Sequence, residues 1–176
     1  NAVHITGDHE QVTAALVTDD TKVVVATATV TINDINNTDI QATELSAIGG
    51  ETIGTVTVSN AVHITGDHEQ VTAALVTDDT KVVVATATVT INDINNTDIQ
   101  ATELSAIGGE TIGTVTVSNA VHITGDHEQV TAALVTDATK VVATTATVTI
   151  NDANSTEIDA TELSAIAVSY THLRAH

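Results

Sequence analysis

Residues 1–59 recur without a single change as residues 60–118, and a third copy begins at Asn119. That copy drifts slightly: Ala138 stands where Asp20 does, Ala143 where Val25 does, and Ala153 where Ile35 does. A 59-residue period restricts the fold to stacked units or to a string of small modules. It also sets the organisation: repeat 1 over 1–59, repeat 2 over 60–118, a truncated repeat 3 over 119–167, and a separate tail over 168–176.

Each copy carries strand and helix signals in turn. Val3 and Ile5 alternate with polar neighbours, which predicts a short half-buried strand ending at Gly7. Asp8 followed three residues later by Gln11 is a capping-box pattern, and Val12, Ala15 and Leu16 share one face of the helix it would open. Lys22–Ile32 (KVVVATATVTI) is rich in β-branched residues and is predicted as one strand. Asn33–Asp39 reads as a polar turn, because Asn and Asp tolerate left-handed backbone. Ala42–Ile48 is predicted as a second helix with Leu45 and Ile48 inward, stopped by Gly49-Gly50 through a positive φ. Thr52–Ser59 alternates again and is predicted as a strand.

Two similar halves therefore make up the period. We expect an α/β repeat solenoid with coils of about 30 residues, each a short helix with parallel strands. The alternative is a series of all-β sandwich modules. A sandwich of the immunoglobulin kind needs about 100 residues and about seven strands, and the helix signals oppose it. No Cys, Met, Phe, Trp or Pro occurs, so the core must be Val, Ile, Leu and Ala, which suits thin layers of aliphatic ladders.

The net charge of −19 argues against nucleic acid, whose phosphates require a basic surface, and against anionic membranes. Cations are the natural counterpart. No apolar run reaches the ~20 residues of a membrane span. Without Cys there is neither disulfide nor thiolate chemistry. The first residue is Asn, and we read the chain as an internal fragment of a longer one.

Candidate chemistry centres on the acidic turns. Asp34, Asn36 and Asp39, with Asp93, Asn95 and Asp98 and then Asp152, Asn154 and Glu157, place oxygen donors at short intervals, the ligand type that Ca²⁺ takes. Turn formation and solvation explain the same residues, and neither the EF-hand loop nor the glycine-rich nonapeptide is present. Asp19-Asp20 offers a second acidic pair. His4 and His9 recur as His63 and His68 and as His122 and His127. Stacked copies could align them into metal-binding ladders, but their spacing of five fits no standard zinc pattern. His4 reads as an outward strand residue and His9 as a first-turn helix residue. Thr27, Thr29 and Thr31 could form a ladder against ice or a crystal face; an ordinary solvated sheet face is the simpler reading. Ser46 and Ser59 have no evident base, and near-identical copies would multiply any active site, so no catalysis is expected.

The ATVTIND strand, the ATELSAIGG helix and the Val-, Thr-, Ala-, Asp- and Asn-rich repetition over Asn1–Ile166 resemble tandem-repeat regions of large bacterial surface and secreted adhesin-like proteins. That resemblance implies an extracellular or cell-surface spacer, stalk or adhesive array, often stiffened by calcium, whose partners are further repeats of the same chain and cell-surface or matrix ligands. A cation-dependent ligand- or glycan-binding module, or the linker array of a secreted enzyme, are the alternatives. Val168–His176 (VSYTHLRAH) resembles a translated sequencing-adaptor sequence, and we expect it to be non-native and the repeat pattern to continue past Ile166.

A unit this thin cannot bury both its strand face and its helix face alone. A peptide of residues 1–59 should therefore show no cooperative transition when its circular dichroism is followed on heating, whereas the 176-residue chain should melt cooperatively.

Overall fold

The computed structural model describes residues 3–80, 82–139 and 141–171. In the first copy the chain forms β1 (His4–Gly7), α1 (His9–Leu16), β2 (Thr29–Ile32), β3 (Asp39–Gln41), α2 (Ala42–Gly49) and β4 (Val56–Val58). The second forms β5 (His63–Gly66), α3 (His68–Leu75), β6 (Val82–Val84), β7 (Thr88–Ile91), β8 (Asp98–Gln100), α4 (Ala101–Gly109) and β9 (Val115–Val117). The third forms β10 (His122–Gly125), α5 (His127–Leu134), β11 (Val141–Val142), β12 (Thr147–Ile150) and α6 (Ala160–Thr171).

Among the described residues this is an α/β fold of six helices and three sheets, ordered β1-β2-β4-β6, β3-β5-β7-β9-β11 and β8-β10-β12. Every pairing is parallel. Parallel neighbours need a crossover of a dozen or more residues, and here the step varies by no more than two residues. Asp39 lies beside His63, His63 beside Thr88, Val89 beside Val115 and Val115 beside Val141, so the step is 24 to 26 residues.

The registry fixes which side chains meet. Ile40, Ile64, Val89, Val115 and Val141 form one inward row across the five-stranded sheet, and each is buried. Thr65, Thr90 and Thr116 form an outward row beside it. Helix residues close the core from the other side: Val12, Leu16, Leu45, Ile48, Val71 and Leu75 are buried with the strand residues in one continuous aliphatic cluster. A core without aromatics is what the composition requires.

The helix starts agree with expectation. Asp8 accepts the Gln11 amide N–H at 2.8 Å, and Gln11 Oε1 accepts the Asp8 amide N–H at 3.2 Å. The polar turn also behaves as read, with Asn37 and Asn96 at φ 65° and 66°. Ser155 holds that conformation in the third copy, at φ 73°, where it lacks the ease with which Asn adopts it.

Three expectations need correction. Lys22–Ile32 is not one strand. In the second copy its equivalent splits into β6 and β7, which enter different sheets. The bend at Ala26–Ala28 is held by the loop one step along: Thr52 Oγ1 donates to the Ala28 carbonyl at 2.6 Å, and the Ile53 amide donates to the Ala26 carbonyl at 2.9 Å. The small alanines make room for that loop. Secondly, Thr52–Ser59 contributes only three strand residues, while Asp39, read as the last residue of the polar turn, begins a strand that runs to Gln41. Thirdly, Gly49-Gly50 does not end α2 through a positive φ, since no described glycine has one and Gly50 sits at φ −68°. The requirement at Gly49 is close approach. A Cβ there would fall under 3.0 Å from the Thr80 carbonyl, and one at Gly108 likewise from that of Thr139.

Val168–Thr171 continue α6, where the Gly-Gly pair of the earlier copies is replaced by Ala167-Val168. Residues 172–176 of the tail lie outside the described residues. No described helix is long and apolar enough to cross a membrane.

The two glycines of the pair should respond in opposite directions. Gly49→Ala or Gly108→Ala forces a methyl into backbone and should cost about 1–3 kcal/mol. Gly50→Ala meets nothing closer than 3.5 Å on a helical backbone and should stabilise by about 0.5–1 kcal/mol. Urea unfolding of the single variants checks both signs.

Candidate functional site

The polar residues repeated in every copy converge at the helix starts. Asp34, in the turn after β2, is buried. One of its carboxylate oxygens accepts the backbone N–H of His9, the first residue of α1, at 2.7 Å. The other takes the His9 ring Nδ1 at 2.6 Å. The arrangement recurs as Asp93 with His68, at 2.8 and 2.6 Å, and as Asp152 with His127, at 3.0 and 2.6 Å. A carboxylate at this place satisfies an amide that the helix itself leaves unpaired and meets the positive end of the helix dipole. Asp8 caps the same turn from its other side.

The rest of the turn is tied to the chain one step further on. Asn36 Oδ1 accepts the Ala61 amide at 3.2 Å, the Asn37 amide donates to the Ala61 carbonyl at 2.8 Å, and Asn60 Nδ2 donates to the Asp34 carbonyl at 2.6 Å. Asn95, Asn96 and Asn119 repeat these bonds.

Asp39 faces elsewhere. Its carboxylate takes His63 Nδ1 at 2.7 Å, and His63 Nε2 meets Thr90 Oγ1 at 2.8 Å, so the three residues form a chain across β3, β5 and β7. Asp98, His122 and Thr149 do the same at 2.8 and 2.7 Å. A carboxylate on Nδ1 makes that nitrogen the proton donor and leaves Nε2 of a neutral ring to accept from the hydroxyl. Such a relay could polarise the threonine hydroxyl. However, β5 is paired on both sides, so its amides are engaged in the sheet ladders and are not directed at a developing oxyanion.

Asp34, Asn36 and Asp39 thus make their bonds to three different groups, and so do Asp93, Asn95 and Asp98. Asp152 binds His127, while Asn154 and Glu157 are exposed. Among the described residues no three His, Asp or Glu side chains come together as a metal-binding group. The two open clefts beside the helix starts are lined by the same residues in successive copies: Asp8, His9, Glu10, Asp34, Ile35 and Thr38 in one, and their equivalents in the other.

The histidines do not align into ladders. His4, His63 and His122 lie in three different sheets, because a step of 24 to 26 residues never brings positions 59 apart side by side. His9 is a first-turn helix residue as read, but it is buried and paired. The pairing had a sequence signal: each of His9, His68 and His127 precedes an Asp by 25 residues, the same interval as the strand step.

No protein-family model matches the chain, and no curated protein or solved structure is similar to it.

The hydrogen bond to Asp152 holds the His127 pKa above 6.5, and the same bond holds that of Asp152 below 3.8. A raised histidine pKa gives stability that is fully present below about 6.5 and is lost as pH rises through the folded value; a lowered carboxylate pKa gives stability present above about 3.8 and lost as pH falls through its folded value. The difference in stability between wild type and Asp152→Asn should therefore be largest between about pH 3.8 and 6.5 and should shrink towards pH 8, as followed by urea unfolding across that range.

Proposed function

We propose that the chain is a structural repeat segment, an α/β solenoid acting as a stalk or spacer in a bacterial cell-surface or secreted protein. The observation that carries this reading is the use made of the repeated polar side chains. Asp34, Asn36, Asp39, Asn60 and His63 bind groups 24 to 26 residues away in the chain. Lys22 also pairs with a residue further along the chain, Glu51, at 2.6 Å. Each strand step thus carries its own polar ties as well as its apolar row. Such a molecule lengthens by adding copies, and its stability is a sum over units and their interfaces. The net charge of −19 supports a solvated extracellular role, in which neighbouring stalks repel each other. Twofold-repeated Asp–His–Thr relays on an open sheet face are in keeping with cross-strand ties.

Inserting further 59-residue copies between Ser59 and Asn60 tests the reading. Small-angle scattering should show the maximum dimension growing by an equal increment per copy at constant cross-section. Growth of all dimensions together, as in a compact globule whose radius rises with about the 0.38 power of length, would overturn it.

A further inference from the structure

Thr65, Thr90 and Thr116 stand in one outward row on β5, β7 and β9. Thr90 differs from its neighbours in one respect. Its hydroxyl meets a ring nitrogen, His63 Nε2, at 2.8 Å. Thr116 lies in the same row between Thr90 and Val142. All of these strands lie inside the five-stranded sheet, with a paired strand on each side.

The direction of the protons follows from the third member of the relay. An ionised carboxylate can only accept, so His63 Nδ1 donates to Asp39, at 2.7 Å. A neutral ring then carries its lone pair on Nε2, and the Thr90 hydroxyl donates to it. A hydroxyl whose proton is already directed at an imidazole lone pair is the arrangement that turns an alcohol into a nucleophile. The order carboxylate, imidazole, hydroxyl is that of the serine hydrolases, with threonine in the attacking place. It recurs as Asp98, His122 and Thr149. The Asp39 side chain is 76% exposed, so solvent screens its charge, and its part is to fix the tautomer of the ring.

What the relay lacks decides which reaction it can support. The backbone of β5 and β7 is engaged in sheet ladders on both sides, and no amide is aimed at a developing oxyanion. Attack then succeeds only on a carbonyl whose leaving group departs readily, such as a thioester or an aryl ester. The same lack preserves the product. Hydrolysis of an acyl-threonine must expel an alkoxide, a much poorer leaving group than a thiolate or a phenolate.

We propose that Thr90 and Thr149 are self-acylation sites, each taking one acyl group from a thioester or aryl ester and keeping it. Thr90 Oγ1 forms a bond to the donor's carbonyl carbon, and its proton passes to His63 Nε2. The donor's C–S or C–O bond breaks, and the proton leaves with the thiolate or phenolate. The product is an O-acylthreonine on the outer sheet face. His63 is 34% exposed at its side chain, so the donor reaches the relay from solvent without opening the fold. The reaction depends on the relay alone and stands whether or not the stalk role is correct.

The 176-residue chain treated with p-nitrophenyl acetate, digested with trypsin and mapped by mass spectrometry, tests the proposal. Cleavage at Lys81 and Lys140 puts Thr90 and Thr149 in different peptides, and fragment ions separate Thr90 from Thr116. Assistance by a positioned base is worth ~10²–10⁴-fold, so Thr90 should carry at least about tenfold more acetyl than Thr116. His63→Gln should reduce the label at Thr90 to the level of Thr116 and leave that at Thr149, which also reports that the variant is folded. Equal labelling of Thr90 and Thr116 in the wild-type chain would overturn the proposal, and that comparison needs no variant. So would a label at Thr90 that His63→Gln leaves unchanged.

Discussion

Every strand here depends on strands 24 to 26 residues away for its backbone hydrogen bonds. A parallel strand cannot pair with its immediate successor through a tight turn, so no hairpin is available to give a single unit local stability. Nothing in the chain can fold by itself in the sense that a hairpin or an isolated helix bundle can. Val30 needs Val56, and Val56 needs Val82. The aliphatic rows, the crossover helices and the polar ties are consequences of that dependence, since each strand's neighbours also set which side chains lie next to it.

The strand step and the sequence period do not match, and the mismatch gives the fold its chemistry. If the step were equal to the period, identical residues would stack: His on His and Asp on Asp. Like charges placed directly opposite each other on neighbouring strands are destabilising. With a step of 24 to 26 against a period of 59, the five-stranded sheet instead takes one strand of each kind: Asp39–Gln41, His63–Gly66, Thr88–Ile91, Val115–Val117 and Val141–Val142. Asp39 then faces His63, and His63 faces Thr90, so a chain this acidic stacks without placing carboxylate on carboxylate in that row. The same offset puts Asp34 at the start of α1 and not beside another turn of its own kind.

Much of the fold was legible in the sequence because its causes are local. Asp8 and Gln11 announce a helix start by chemistry within four residues. Asn37 fits a left-handed turn for reasons internal to that residue. Val30 and Ile32 alternate with threonines because one sheet face is buried. What could not be read depended on groups a full step away. The strand over Lys22–Ile32 looked continuous, because the bend at Ala26–Ala28 is imposed by Thr52 and Ile53. Gly49 looked like a helix stop, because the residue that requires its lack of a Cβ is Thr80. The partners of the acidic turn were hidden for a similar reason. Asp34, Asn36 and Asp39 are close in sequence, but their partners His9, Ala61 and His63 lie one step away in different directions. Only the recurring 25-residue interval from His to Asp pointed to that outcome.

The drift of the third copy separates positions constrained locally from positions constrained by the next step. Ile35 and Ile94 are about four-fifths exposed, so their replacement by Ala153 removes no packing, and Ala138 replaces a surface aspartate at equally little cost. Asn37 is constrained by its own backbone. Its replacement Ser155 keeps the positive φ and therefore holds a conformation that serine adopts less readily. Asp39, Gln41 and Gly49 are constrained from outside, by β5 and by Thr80. Their counterparts Glu157 and Asp159 have no such strand against them among the described residues, and alanine stands at 167 where the earlier copies have glycine. There Asp159 caps α6 instead, accepting the Thr161 amide and hydroxyl at 2.7 and 2.6 Å. Glycine at position 49 is therefore a property of the interface between steps and not of the helix that contains it, and α6, which carries Ala167 at the equivalent place, runs on to Thr171.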